Sequence, residues 1–532
     1  MRWNCLTLIL VEITITMSSS VYATLPNKTL VYCSEGSPMG FDPGGYTNMI
    51  EYTASAATIY NRLVEFGQDG MKIEPSLAES WDISKDGKVY TFHLRRGVKF
   101  HTTPWFTPSR EFNAEDVLFT FERMRSPDMP FRRAYPTESP YWTEKGFEKI
   151  IAKIEVPDPY TVSFTLKLAH APFLAKLAES PASILSAEYA IQLLKVGKLS
   201  DINRKPVGTG PFIFREYIKD ATIRFDGNPE YWKPNDVQLS HLVFAITPDA
   251  AVRAKKLKAN ECQVISYPQA ADISKLQADS NLQVLSQPGF NLARLAYNVL
   301  RKPLDDIRVR RALDMAIDKK AIIDQVYEGR AQMAVAPMPP LQWSYDQTLQ
   351  DTPRDVELAK KLLTQAGYPN GFTLSLWAMP ISRSYNPNAR LMAQMIQADW
   401  TKIGVTAKIV SYEWGEYLKR ASDGEHDAML IGISGVADPD NWLGLVSCRA
   451  KHSSNFSKWC YKPFDDLIQR AVQITDVSER TRLYVQAQGI FKREQPFTSI
   501  AYATDYQAIN KNVTGFKINP LGPTIFRGVG LR

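Results

Sequence analysis

Between Asp306 and Ala503 the sequence alternates between two incompatible hydrophobic periods, which restricts this half of the chain to a layered α/β architecture. Val309, Ala312, Leu313, Ala316 and Ile317 stand at i, i+3, i+4, i+7 and i+8, so a helix with one apolar face is expected over 306–326. The spacing recurs over 356–366, which stops at Gly367, and over 481–491. It recurs again over 389–403, where Leu391, Met392, Met395, Ile396 and Ile403 turn inward and Gly404 ends the run. Strands are expected between these helices, at 373–377 and 406–410, and a last one near 498–503. Successive strand side chains point to opposite faces, whereas helical ones fall on a face every three to four residues, so the two patterns cannot exchange.

The first half reads differently. Strands are expected at 29–33, 88–94, 223–225 and 241–246, and within 151–166 around the turn Pro157-Asp158-Pro159. Asp86-Gly87 is a hairpin signal. Residues 36–45 are rich in turn formers, and Ala57, Tyr60, Leu63 and Val64 predict a helix over 54–64. In the loop Pro206–Phe212, Gly208 and Gly210 permit a close backbone approach. No Lys-Ser/Thr follows them, and a strand comes next, so this is not a phosphate-cradling loop.

The length, 532 residues, suggests two to four domains. Apolar residues at 44% and charged ones at 22% exclude a disordered, collagen-like or coiled-coil chain. A net charge of +7 is mild at this length and makes no nucleic-acid footprint. Residues 1–23 read as a secretory signal: Arg2 is basic, 5–17 are mostly apolar apart from Glu12, and Val21-Tyr22-Ala23 suits a signal peptidase. The alternative is a buried N-terminal helix. Removal of the signal takes away Cys5 and leaves Cys33, Cys262, Cys448 and Cys460, an even number with three possible connectivities in an oxidising compartment. Cys448 and Cys460 are near enough to close a short loop, which leaves Cys33 with Cys262.

Catalytic constellations are missing from the sequence. There is no G-x-S-x-G, no H-E-x-x-H, no S-x-x-K with its partner motifs and no dinucleotide fingerprint. The six histidines are scattered and no C-x-x-C occurs, so neither a metal nor a cofactor is expected. Asp305-Asp306 and Asp438-Pro439-Asp440 read as helix starts or turns rather than a hydrolase dyad. Aromatics at 11% suggest aromatic-lined pockets. A binding protein is therefore expected before an enzyme, with a secreted hydrolase or a chaperone-like binder of unfolded chains as the competing classes.

Longer motifs carry a resemblance. Leu77-Ala78-Glu79-Ser80-Trp81, the run from Asp86 to His101, Phe112-Asn113-Ala114-Glu115-Asp116-Val117, Val207–Phe212 and Pro303–Leu313 resemble the peptide/nickel/opine family of extracellular solute-binding proteins. Within it, Met379-Pro380, Tyr385–Arg390 and Tyr412–Ala421 are most similar to the dipeptide-binding receptors of Gram-negative bacteria and to their haem- and antimicrobial-peptide-binding relatives. The resemblance runs from about Lys28 to the C-terminus.

It implies an α/β two-lobed periplasmic-binding-protein clamshell of the large peptide-binding type, with mixed sheets and an extra N-terminal subdomain. The signal would occupy 1–23, lobe I 24–288, lobe II 289–505 and a C-terminal return to lobe I 506–532. The crossings would lie near 289–297 and 498–508, with one disulfide per lobe in the pairing above. The ligand would be a short peptide, passed by a monomeric periplasmic receptor to ABC permease subunits in the inner membrane.

A zwitterionic peptide needs an Arg fork for its carboxylate and an acid for its ammonium, because either charge buried unpaired is costly. By the resemblance, Arg383 holds the carboxylate, and Tyr385 and Trp414 line the cleft. The family's dipeptide receptors carry Gly-Asp-Asn-Gly-Asp-Pro-Asp-Asn, whose first Asp takes the amine. This chain has Gly435-Val436-Ala437-Asp438-Pro439-Asp440-Asn441, one residue shorter. Val436 stands in that acid's place unless Asp438 slides into it, and Ile433 replaces the preceding Trp. This departure leaves open haem, glutathione, a modified or cell-wall peptide, or an antimicrobial peptide as the ligand.

Overall fold

The structure, a computed structural model, describes residues 28–532 except Thr47, Gln68, Asp69, Met71, Glu138, Lys145, Val436, His452 and Ser453. The signal read at 1–23 and the position of Val436 therefore lie outside the described residues. One strand, Phe497–Asn510, organises the molecule because two sheets meet on it. Its C-terminal half pairs with Leu282–Pro288 and Val264–Ser266, which lead to Thr29–Ser34, His241–Ile246, Thr222–Gly227 and Phe212–Ile218. Its N-terminal half pairs with Asn291–Tyr297 and Ala331–Met333. Beyond Asn291–Tyr297 come Ala428–Ser434, Thr373–Trp377 and Thr406–Val410, the last two joined in parallel. A separate four-stranded antiparallel sheet holds Ala78–Ile83, Val89–Leu94, Thr161–Leu166 and Ile151–Asp158.

Each half has its own apolar core. One is drawn from residues between Phe290 and Ala503 together with Leu521, the other from residues between Leu30 and Val264 together with Ile509–Val529. The crossing between them is held by side-chain chemistry. Asn291 brackets the Ala503 peptide, donating from Nδ2 to its carbonyl (3.0 Å) and accepting its N–H at Oδ1 (2.7 Å). A Cβ on Gly289 would stand 2.5 Å from that carbonyl. Disulfides join Cys33 to Cys262 and Cys448 to Cys460.

Three expected helices differ from those observed, each for a local reason. The run 306–326 is two helices, Ile307–Ala316 and Lys319–Val326. Asp318 interrupts it by accepting the Ala321 N–H (2.9 Å) as an N-cap while donating its own N–H to Asp399 (2.8 Å). The helix expected over 54–64 ends early. Helical turns cover 49–56, and Val64 opens the short strand Val64–Phe66. The carbonyls of Thr58 and Ile59 instead receive Phe212 N (3.0 Å) and Gly210 N (2.8 Å). The last helix is longer than its apolar stripe, Val477–Glu494, because Asp476 caps its start and Gln495 closes it at φ 48°.

The two glycines of the 206–212 loop are needed for that contact. A Cβ on Gly208 would lie 2.1 Å from the Ile59 carbonyl oxygen, and one on Gly210 2.5 Å from the Ile59 carbonyl carbon. Gly208→Ala is therefore expected to destabilise the protein by about 1–3 kcal/mol through overpacking. Urea unfolding checks this, and an unchanged midpoint and slope would contradict the close approach.

Candidate functional site

Two connected hollows open along the junction of the halves. The larger, about 160 Å³, is walled by Tyr52, Asn61, Arg62 and Glu65, by Glu179–Pro181, and by the C-terminal stretch from Gly515 to Arg527, with Gly435 and Ala437 opposite. The smaller, about 50 Å³, is walled by Tyr267, Asp505–Gln507 and Asn519 on one side and by Phe290, Asn291, Ser384 and Ser434 on the other. Met49, Gly435, Ile518 and Asn519 border both, so they form one cleft.

Three of the residues singled out by the sequence come together beside this cleft. Arg383 is exposed and precedes Ser384 in the wall. Its backbone bridges to Asn386, and its guanidinium lies 5.1 Å from the Trp414 ring centroid. Trp414 is stacked on the buried Tyr417 at 5.7 Å, which fixes the platform under the arginine. The Tyr385 ring packs on Gly432, where a Cβ would come within 2.2 Å. Burial pushes the Tyr385 hydroxyl upward, while Arg383, which donates a hydrogen bond to it, and Arg294 pull it back. Arg294 is itself buried, 4.9 Å from the Phe497 ring, with its Nε unpartnered among the described residues. Burial draws its pKa down to about 10. No ion pair joins Arg383 to a carboxylate among the described residues.

The remaining candidates are placed elsewhere. Ile433 is half-buried in the strand Ala428–Ser434, opposite Leu292. Asp438 is buried at the start of the helix Pro439–Leu443, where it accepts the Asp440 N–H (2.9 Å) and both of its oxygens receive Arg480 Nη2 at 2.9 and 3.0 Å. Asp440 is held by Arg449 at 2.6 Å. Each acid of the Asp-Pro-Asp run thus has its own arginine, and the carboxylate of Asp438 faces into the protein.

Sequence reading missed Asp505. It is the only charged residue between Phe497 and Asn510, and a lone acid in an apolar strand was the available signal. It is half-buried on the cleft wall, and burial alone raises its carboxyl to about 7. Tyr267, also missed, stands nearby at φ 50°, a strained conformation for an aromatic residue. Glu65, in the larger hollow, is already paired with Arg527 (2.6 Å) and Lys233 (3.1 Å). Among the described residues no cluster of His, Cys, Asp and Glu could hold a metal ion.

Residues 72–453 match the family described as bacterial extracellular solute-binding proteins, family 5 Middle. The chain is 56% identical over 520 residues to the di/tripeptide-binding protein 1 of Pseudomonas aeruginosa, covering 97% of each. Among solved structures, it is similar to HbpA2 from Haemophilus parasuis at TM-score 0.90 and 41% identity, covering 95% of this chain and 100% of that one. It is also similar to a dipeptide-binding protein from Pseudoalteromonas sp. SM9913 in complex with Met-Leu, at TM-score 0.81 and 39% identity, covering 95% and 100%. These neighbours share the two-lobed architecture.

Arg480→Met would strand a buried carboxylate at Asp438, and the expected loss is about 3–5 kcal/mol at neutral pH. Protonation removes the stranded charge, so the loss shrinks as pH falls. Urea unfolding of the variant near neutral and near acid pH measures both effects. Equal losses at the two pH values would contradict a charge-based role for the pair.

Proposed function

The chain belongs to the bacterial extracellular solute-binding proteins, family 5, and on that premise we propose that it is the periplasmic substrate-binding component of an ABC importer for short peptides. Exported by the segment 1–23, it captures the peptide between lobe I (24–288, with the return 506–532) and lobe II (289–505). It releases the guest chemically unaltered to permease subunits in the inner membrane, and it acts as a monomer. The observation that carries this reading is an arginine, Arg383, held over Trp414 next to the cleft-lining Ser384, with no carboxylate partner among the described residues.

That geometry suits the terminal carboxylate of a peptide. The guanidinium is a planar fork that pairs with both carboxylate oxygens, and the aromatic face beneath it costs the ligand no hydrogen bond. The rest of the cleft is roomy, so side chains of different size can be admitted while the termini are held. The relatives named di/tripeptide-binding and the neighbour solved with Met-Leu support peptide as the ligand class. The separate apolar cores, divided near residues 289 and 505, support the lobe boundaries. The Asp-Pro-Asp acids are each paired with an arginine, which favours holding a guest over hydrolysing it.

Each charge-assisted bond to the carboxylate contributes about 1.5–3 kcal/mol net. Arg383→Ala is therefore expected to weaken Ala-Ala binding at least about tenfold. The C-terminal amide of Ala-Ala should bind the wild type correspondingly weakly. Calorimetry checks both, and unchanged affinity in the variant would refute the role given to Arg383. Native mass spectrometry of protein purified without refolding tests the ligand class: co-purified short peptides support it, whereas co-purified haem or glutathione replaces it.

A further inference from the structure

We propose that Asp505 and Gln507 form the subsite for the ligand's ammonium group, in the smaller hollow bounded by Tyr267, Ser384 and Asn519. This rests on the peptide reading above and adds the second terminus to it.

An ammonium entering a cleft must recover several hydrogen bonds from acceptors, one of them preferably charged. The acids in the Gly435–Asn441 run do not offer this. Asp438 is taken by Arg480 and Asp440 by Arg449. Three acids line the cleft among the described residues. Glu65 is held by Arg527 and Lys233, and Glu179 has an interaction partner of its own. Asp505 differs: its carboxylate has no hydrogen bond or ion pair to another described residue.

Gln507 supplies the second acceptor. Two residues along the same strand, it presents its side chain on the same face as Asp505, and both line the hollow. It is 4% exposed, its Nε2 reaches Thr524 Oγ1 at 3.4 Å, and its Oε1 has no partner among the described residues. A buried acceptor left open beside an unpaired carboxylate is complementary to a donor-rich cation. Ser384, on the facing wall, adjoins Arg383, and Asp505 pairs with Gln287 in the other sheet, so the two ends of a short zwitterion would be met from walls built on different sheets.

Only the ionised carboxylate accepts an ammonium. Burial holds the free carboxyl up to about 7, so affinity for a free-amine ligand is full above that pH. It falls about tenfold per pH unit below, until the lower pKa of the complex is reached. The titratable groups around Asp505 are Tyr267 and Tyr506, which line the same hollow, and Glu35 beyond Tyr267. Arg330, whose backbone carbonyl accepts the Thr504 N–H, is paired with Glu328 at 2.8 Å. The cross-strand neighbour, Gln287, is neutral.

The test is calorimetry of the full mature chain with Ala-Ala, N-acetyl-Ala-Ala and a panel of free and N-acetylated di- and tripeptides, from about pH 8 to about pH 5.5. Asp505→Asn is expected to weaken Ala-Ala at least about tenfold near pH 8 and to flatten its pH profile. It should leave N-acetyl-Ala-Ala within about twofold of wild type. Gln507→Leu should weaken Ala-Ala in the same direction. Asp505→Asn binding Ala-Ala as tightly as wild type, with the same pH profile, would overturn the subsite. Should Asp505→Asn fail to fold by circular dichroism, the wild-type profile decides: a flat one overturns the proposal and a fall below about pH 7 supports it. Wild type that binds no peptide of the panel would sink the peptide reading and the subsite with it. Failure of the subsite alone leaves tight wild-type binding.

Discussion

Everything about where a ligand can sit follows from the sharing of one strand, Phe497–Asn510, between two sheets. Backbone hydrogen bonds must be satisfied along the whole of a buried strand, so its two halves cannot part from their sheets without exposing a ladder. The sheets are consequently tied at one line and free to differ in orientation elsewhere. The first chain crossing, at Gly289–Asn291, is drawn onto the same line by the Asn291 amide around the Ala503 peptide. Two short crossings lying side by side make a hinge, and an open seam between two separate cores makes a cleft.

The charges at the cleft are sorted by whether the protein has already answered them. Asp438 with Arg480, Asp440 with Arg449, and Glu65 with Arg527 and Lys233 are closed pairs that hold the walls in shape. Among the described residues Arg383 and Asp505 have no ion-pair partner. Asp505 pairs with Gln287 in one sheet and Arg383 adjoins Ser384 on the facing wall, and on the proposed reading a ligand carrying both signs would complete them. A guest that bridges two lobes favours the conformation in which both ends are in reach, so differential contact with the closed state drives closure.

Most of the secondary structure was legible because periodicity is a local property. The strand at 88–94 with its Asp86-Gly87 turn and the helix over 356–366 appear where the pattern puts them. What failed was decided by distant residues. Nothing near Asp318 announces that Asp399 will take its N–H, and nothing near Thr58 announces that the loop at 206–212 will claim its carbonyl. The site divided the same way. Arg383, Tyr385 and Trp414 were found through a long motif, and they do cluster. Asp438 was the alternative to Val436 in a separate, shortened run, yet its partner Arg480 is 42 residues away and only folding joins them. Asp505 had no motif, and its meaning comes from the hollow it faces.

The central claim is that two hinged lobes close on a small guest held between them. Small-angle X-ray scattering with and without a saturating dipeptide tests it most directly. The account predicts a smaller radius of gyration in the bound sample, with the dipeptide recovered intact afterwards. Superimposable scattering curves from a sample shown to be saturated would contradict it.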